Sequence, residues 1–246
     1  MNTYTLSQTL SAILAWTAPL YCVVCDGPVE AVSAWPLCSV CTARLTVDGG
    51  RRCDICGKPI ISELNRCMRC RAVTVSFDGA FPLYSYAGVA RKLLIAYKSQ
   101  KRRSLAVFLA VCLAPEILAR FPGYTIVPVP PRPGKLRKEG WDQVELLAGI
   151  LERRWSLPVA RLLVRRKGGN EQKTLDRAGR SINVVGRYVL LPRITMFGNT
   201  KPGNAVPLKV LLLDDIMTTG ATLSECASVL KAHGSDRVSA IVIAAD

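Results

Sequence analysis

The stretch KVLLLDDIMTTGATLSECASVLKAHG, residues 209–234, decides the fold. Val210 to Leu213 are apolar without interruption, as in a strand buried on both faces. Asp214 and Asp215 end that run, and Ile216 to Thr222 then carry small hydroxyl residues and a glycine. From Thr222 to Ala232 apolar residues recur at helical spacing, and 237–244 reads as another apolar strand. Strand, loop, helix and strand in this order predict a parallel sheet with helices on its faces.

The preceding sequence extends the alternation. FDGAFPLYSY (77–86) reads as a strand or hairpin, and GVARKLLIAYKSQKRRSLAVFLAVCLAPEIL (88–118) as one or two helices interrupted by a basic patch. YTIVPVP (124–130) is a buried strand ending at prolines, and WDQVELLAGILERRW (141–155) is a helix. Residues 193–207, with Gly198, Pro202, Gly203 and Pro207, read as an exposed loop.

In an open parallel sheet, ligands bind at the carboxyl ends of the strands. Asp214 and Asp215 lie at such an end, directly before the loop. Backbone amides and a helix N-terminus favour an anion there. Thr218, Thr219 and Thr222 offer hydroxyl donors, Gly220 permits close backbone approach, and Ala221 adds no bulk. Carboxylates do not bind phosphate; they accept hydrogen bonds from sugar hydroxyls or help hold a divalent ion. A ligand with a phosphate at one end and a vicinal diol beside it, such as a ribose 5-phosphate, satisfies both halves. An ordinary strand-to-helix turn with a threonine cap accounts for any one of these residues, but not for all together. The chain contains no G-x-x-x-x-G-K-[ST] phosphate loop.

Eight of the ten cysteines form four C-x-x-C pairs: Cys22/Cys25, Cys38/Cys41, Cys53/Cys56 and Cys67/Cys70. The pairs are separated by 12, 11 and 10 residues. Two thiolates at this spacing reach one tetrahedral Zn(II) from a tight turn, so four pairs predict two closed structural sites. A thioredoxin-like redox pair needs a different context, and a secreted disulfide framework needs a leader that the sequence does not display. Spacing allows sequential or crossed pairing; the sequential arrangement is the expected one. Cys112 and Cys226 fall in apolar helical patterns and are read as core residues.

The formal charge is +15, from 33 basic and 18 acidic residues, which favours an anionic partner or else marks a basic but inert surface. No segment has the ~20 apolar residues that span a bilayer, so the chain is not expected to be an integral membrane protein. Residues 1–20 lack a basic start and a cleavage site; they read as an amphipathic helix carrying Leu6, Leu10, Ile13 and Leu14. A cytoplasmic location is expected. Arg91, Lys92, Lys98, Lys101, Arg102 and Arg103 form a basic patch for single-stranded nucleic acid, with Tyr97 available to stack on a base; a solvated helix face explains them equally well. His233, before Gly234, reads as a helix-end charge or cap.

LLLDDIMTTGATL (211–223) resembles the signature of type I phosphoribosyltransferases, which bind 5-phosphoribosyl 1-pyrophosphate (PRPP) with Mg(II). The resemblance implies that Asp214 and Asp215 contact the ribose hydroxyls and position the sugar in any catalysis, and that Thr218 to Thr222 hold the 5-phosphate. It implies pyrophosphate contacts in the loop 131–137, where Arg132, Lys135 and Arg137 are available, and a mobile loop with Gln172, Lys173, Arg177 and Arg180. The order of zinc knuckles, VPVPPRPGKLRKEGWDQ, EQKTLDRAGRSIN and the PRPP motif resembles the ComF family, competence-associated proteins with a double zinc ribbon. Expected domains are therefore 1–72, the short helix and double zinc ribbon, and 73–246, the phosphoribosyltransferase-like domain. The implied role is DNA uptake in natural transformation, with PRPP and single-stranded DNA as ligands and the uptake machinery as partner. An orphan phosphoribosyltransferase and a non-catalytic PRPP sensor are the alternatives. Where the family carries Arg-Gly-aromatic-Asn-Gln, this chain has Glu139-Gly140-Trp141-Asp142-Gln143, with Lys138 one position before.

Overall fold

The computed structural model describes residues 21–30, 33, 35–45, 50–61, 64–166, 186–196 and 206–246. The expected helix over 1–20 lies outside them, as do Gln172, Lys173, Arg177 and Arg180. In chain order the elements are α1 (Ser39–Ala43), α2 (Met68–Ala72), β1 (Gly79–Ser85), α3 (Gly88–Lys98), α4 (Leu105–Arg120), β2 (Thr125–Pro128), α5 (Lys135–Glu139), α6 (Gln143–Trp155), β3 (Ala160–Arg165), β4 (Tyr188–Met196), β5 (Lys209–Met217), α7 (Ala221–Ala232) and β6 (Arg237–Ala245).

Four strands form a parallel sheet in the order β1-β6-β5-β2. Side chains alternate across it, as the strand period of two requires. Phe81, Leu83, Ile126, Leu211, Leu213, Ile241 and Ile243 face α3, α4 and α6. Ala80, Val127, Val210, Leu212, Val238, Ala240 and Val242 face α7 and β3. The continuous apolar run of β5 is thereby buried on both sides. The basic run 99–104 separates α3 from α4, so the segment 88–118 makes two helices.

The antiparallel pair β3–β4 was not legible in the sequence, and its course corrects the expected loop: β4 runs through Met196 rather than ending before 193. Pro192 obscures the strand because it has no N–H for a ladder. The register slips between Arg161 and Leu163, across from the stretch that contains it. The pair joins the sheet beyond β2, where the Ile126 amide donates to the Pro158 carbonyl at 2.8 Å.

The cysteines gather sequentially. Cys22, Cys25, Cys38 and Cys41 form one cluster and Cys53, Cys56, Cys67 and Cys70 the other, with the ligand atoms of each within 4.8 Å of one another. Cys25 and Cys38 Sγ are 3.7 Å apart, and Cys56 and Cys67 Sγ 3.8 Å. Four sulfurs at Zn–S ≈ 2.3 Å in a tetrahedron lie about 3.8 Å apart, so both clusters fit Zn(II).

The two ribbons straddle the β1 edge. Cys22, Leu37, Cys38 and Cys41 join the core on the α4 face, where Trp35 meets Phe108 edge-on at 5.8 Å. Cys53 and Cys56 join the core on the α7 face. The Ala80 amide donates to the Ile55 carbonyl at 2.8 Å, and Arg52 donates to the Pro82 carbonyl at 2.9 Å, so the second ribbon covers the free edge of β1. A Cβ at Gly57 (φ +67°) would lie 2.2 Å from the Ala80 carbonyl oxygen, so only glycine permits this approach. Cys226 is fully buried, and Cys112 is partly buried against the α4-face core. No helix among the described residues is long and apolar enough to cross a membrane.

Metal analysis should find two zinc ions per chain. Cys53→Ser and Cys41→Ser should each reduce this to one and lower the thermal midpoint of the whole chain, because each ribbon is part of a sheet core. A sheet that melts unchanged after loss of either ion would contradict that packing.

Candidate phosphoribosyl site

The carboxyl ends of β2 and β5 open into a cleft of about 770 Å³. Asp214, Asp215 and Thr222 line one side, and Arg132, Lys135 and Lys138 lie on the loop and helix that follow β2. Lys98, Gln143, Arg165 and Tyr188 complete it. The cleft therefore joins the acid pair to part of both expected phosphate-binding segments that lie among the described residues, 131–137 and 218–222. Thr218, Thr219 and Ala221 are exposed, and Gly220 is buried at the start of α7 with φ +77°, the left-handed conformation that favours glycine. Arg137 lines a neighbouring hollow of about 440 Å³ instead.

Adjacent positions on a strand point to opposite faces, and this separates the two acids. Asp215, 4% exposed, turns toward α3 and α6. Its Oδ2 accepts from Lys98 Nζ at 2.9 Å and Gln143 Nε2 at 2.8 Å, and its Oδ1 from the Ile216 amide at 2.8 Å. Asp214 lies on the α7 face; its Oδ1 accepts from the Asp215 amide at 2.8 Å. Burial, and then the neighbouring Asp215 carboxylate, hold the Asp214 carboxyl well above the usual carboxylate range; the Asp215 amide and Lys98 oppose this without offsetting it. Burial alone would push Lys98 down, but Asp215 outweighs it and keeps the ammonium above its ordinary value.

The chain of polar contacts continues through the segment that departs from the family pattern. Lys135 Nζ donates to Asp142 Oδ2 at 2.7 Å and to Gln143 Oε1. Asp142 Oδ1 accepts from the amides of Val144 and Glu145 at 2.9 and 3.1 Å, so it caps α6. An aspartate performs this capping as well as an asparagine, and it adds a negative charge opposite Lys135. Glu139 and Lys138 both line the cleft.

The structure divides the expected nucleic-acid patch. Arg91, Lys92, Lys101, Arg102 and Arg103 are exposed, whereas Lys98 is committed to Asp215. Tyr97 does not stack on a base: it is 0% exposed and donates its hydroxyl to the Gln143 carbonyl at 2.7 Å. A hydrophobic helix position claimed the ring. Arg103 lies 5.2 Å above the buried Trp141 ring, which places the basic turn beside the segment that lines the cleft. His233 Nδ1 lies 2.7 Å from the Val229 carbonyl at the end of α7, as a cap would. Gln143, Arg165 and Tyr188 were not among the expected site residues. Gln143 stood in the quoted EGWDQ run, while Arg165 and Tyr188 come from the unread β3–β4 pair.

The chain thus combines two four-cysteine sites with a helix-flanked parallel sheet that ends in an acid pair and a threonine-glycine loop. Residues 13–71 match the family model of the double zinc ribbon domain. The chain is 26% identical over 232 residues to DNA utilization protein YhgH of Escherichia coli O6:H1, covering 90% of this chain and 95% of that protein. It is 29% identical over 207 residues to competence protein ComFC of Streptococcus pneumoniae, covering 82% of this chain and 84% of that one. The resemblance to ComF proteins therefore extends over most of the chain. Among solved structures, orotate phosphoribosyltransferase of Francisella tularensis aligns with 57% of this chain and 66% of its own, at 16% identity and a TM-score of 0.32.

A carboxyl whose pKa is raised in the folded chain binds its proton more tightly there than in the unfolded chain. Stability therefore falls as pH rises from the ordinary carboxylate range through the raised value. Asp214→Asn removes that penalty and should unfold at higher urea than wild type near pH 8. The advantage should shrink toward about pH 6, a range in which thiolates keep zinc. A variant that is no more stable at either pH would contradict a carboxyl whose proton affinity rises on folding.

Proposed function

We propose that this chain is a ComF-like PRPP-binding protein of DNA uptake in natural transformation, and that it binds single-stranded DNA through its basic surface. The observation that carries the reading is the cleft itself, in which Asp214, Asp215 and Thr222 face Arg132, Lys135 and Lys138. The 5-phosphate of PRPP would take the amides and hydroxyls of Thr218 to Thr222 at the start of α7. The ribose hydroxyls would donate to the acid pair. The pyrophosphate would lie toward Arg132 and Lys135, where guanidinium and ammonium suit phosphate oxygens. Mg(II), bound with the pyrophosphate, would neutralise part of its charge. Lys135, now paired with Asp142, would exchange a carboxylate for a phosphate.

The DNA half of the reading draws on the relatives named for competence and DNA utilization and on the exposed cations beside the cleft. Arg91, Lys92, Lys101, Arg102 and Arg103 would contact phosphates. A second reading is transfer of ribose 5-phosphate to an acceptor. It is favoured by the basic wall across from the acids, since those cations would stabilise departing pyrophosphate. In that reaction the C1–oxygen bond to pyrophosphate breaks, the electron pair leaves with pyrophosphate, and the acceptor bonds to C1. A sensor that binds PRPP and neither reacts nor binds DNA is the remaining alternative.

Fluorescence anisotropy of a labelled single strand, at several salt concentrations with and without Mg-PRPP, tests the proposal. Five phosphate contacts predict a log–log salt slope of about −3.5, and replacing Lys101, Arg102 and Arg103 by alanine should reduce it by about 2. Mg-PRPP should change the affinity. Absence of binding at low salt would remove nucleic acid from the reading, and acceptor-dependent pyrophosphate release would favour the transferase.

A further inference from the structure

Arg69 stands in α2 between two zinc ligands, Cys67 and Cys70. Its Nη1 donates to the Thr218 carbonyl at 3.0 Å, across 149 residues of sequence. Thr218 opens the loop that leads into α7. The segment that follows α2 runs along the same loop. The Ser76 amide donates to Ser224 Oγ, in the first turn of α7, at 2.9 Å. The Phe77 ring comes within 3.4 Å of where a Cβ on Gly220 would project. Within the loop, the Ala221 amide donates to Thr219 Oγ1 at 3.3 Å, a long contact. Thr218, Thr219 and Ala221 are exposed and Gly220 has no side chain, so the loop has little side-chain packing of its own to hold it.

We propose that the second zinc ribbon positions the phosphate loop, with Arg69 as the positioning residue. Zinc at Cys53, Cys56, Cys67 and Cys70 would fix the backbone on both sides of Arg69, and the guanidinium transmits that order to Thr218. The first ribbon packs on the opposite face of the sheet and has no part in this. The order of the loop follows from the contact alone. The consequence for phosphate affinity rests on the reading of the loop proposed above.

The test uses the full zinc-loaded chain with Arg69→Ala and Arg69→Lys. Arg69 is exposed, so both variants should fold and keep two zinc ions. Without ligand, amide hydrogen exchange across 216–224 should be about five- to tenfold faster in Arg69→Ala, the worth of one hydrogen bond, and partly restored in Arg69→Lys. Unchanged exchange there, or an equal increase throughout the sheet, overturns the proposal. Ribose 5-phosphate and pyrophosphate then serve as separate probes. Arg69→Ala should weaken ribose 5-phosphate by a similar factor and leave pyrophosphate unchanged; equal weakening of both overturns a role specific to the loop. If wild type binds neither probe, the phosphate reading fails while the exchange result still decides the contact.

Discussion

A carboxylate buried at the end of a central strand must be given partners, and Asp215 sets that requirement. Asp215 is 4% exposed at the floor of the cleft, and Lys98 from α3 and Gln143 from α6 come to it. Those two contacts fix the end of α3 and the start of α6 relative to the sheet. Gln143 in turn accepts from Lys135, and Asp142 caps α6 while pairing with the same lysine. One buried acid thereby organises the loop after β2, which supplies the basic wall of the cleft. Removing one member of such a network leaves an unpaired buried group, which is why it acts as a unit.

The zinc ribbons solve a different problem. The edge strand β1 presents unpaired backbone groups on one side and apolar side chains on both faces. Each ribbon adds buried cysteines and apolar residues to one face, and the second also pairs with the edge. A unit too small to bury a core alone thus depends on metal and on the sheet together. Its Arg69 also reaches the loop that opens α7, at the Thr218 carbonyl.

Much of this was legible in the sequence because it is local. The C-x-x-C spacing dictates tetrahedral sites, the run of Val210 to Leu213 dictates a buried strand, and Gly220 is needed for the positive φ that starts α7. What was not legible depends on tertiary placement. Lys98 looked like one more cation of a surface patch, and only the crossing of α3 over β5 assigns it to Asp215. Tyr97 looked available for stacking until helical phase turned it inward. Pro192 hid β4, and with it Tyr188 and Arg165 at the cleft. Asp142 read as a departure from the family pattern, yet capping asks only for a side-chain oxygen.

The proposed ligand of the acid pair and the loop after it is a phosphoribosyl diphosphate. Calorimetric titration of Mg-PRPP into wild type and Asp214→Asn tests it most directly, because the asparagine keeps the shape of the side chain but can neither ionise when the ribose hydroxyls donate to it nor accept through both of its terminal atoms. Wild type should show saturable one-site binding, and that binding should be lost in a variant that remains folded with both zinc ions. No binding by wild type, or equal binding by the variant, would contradict it.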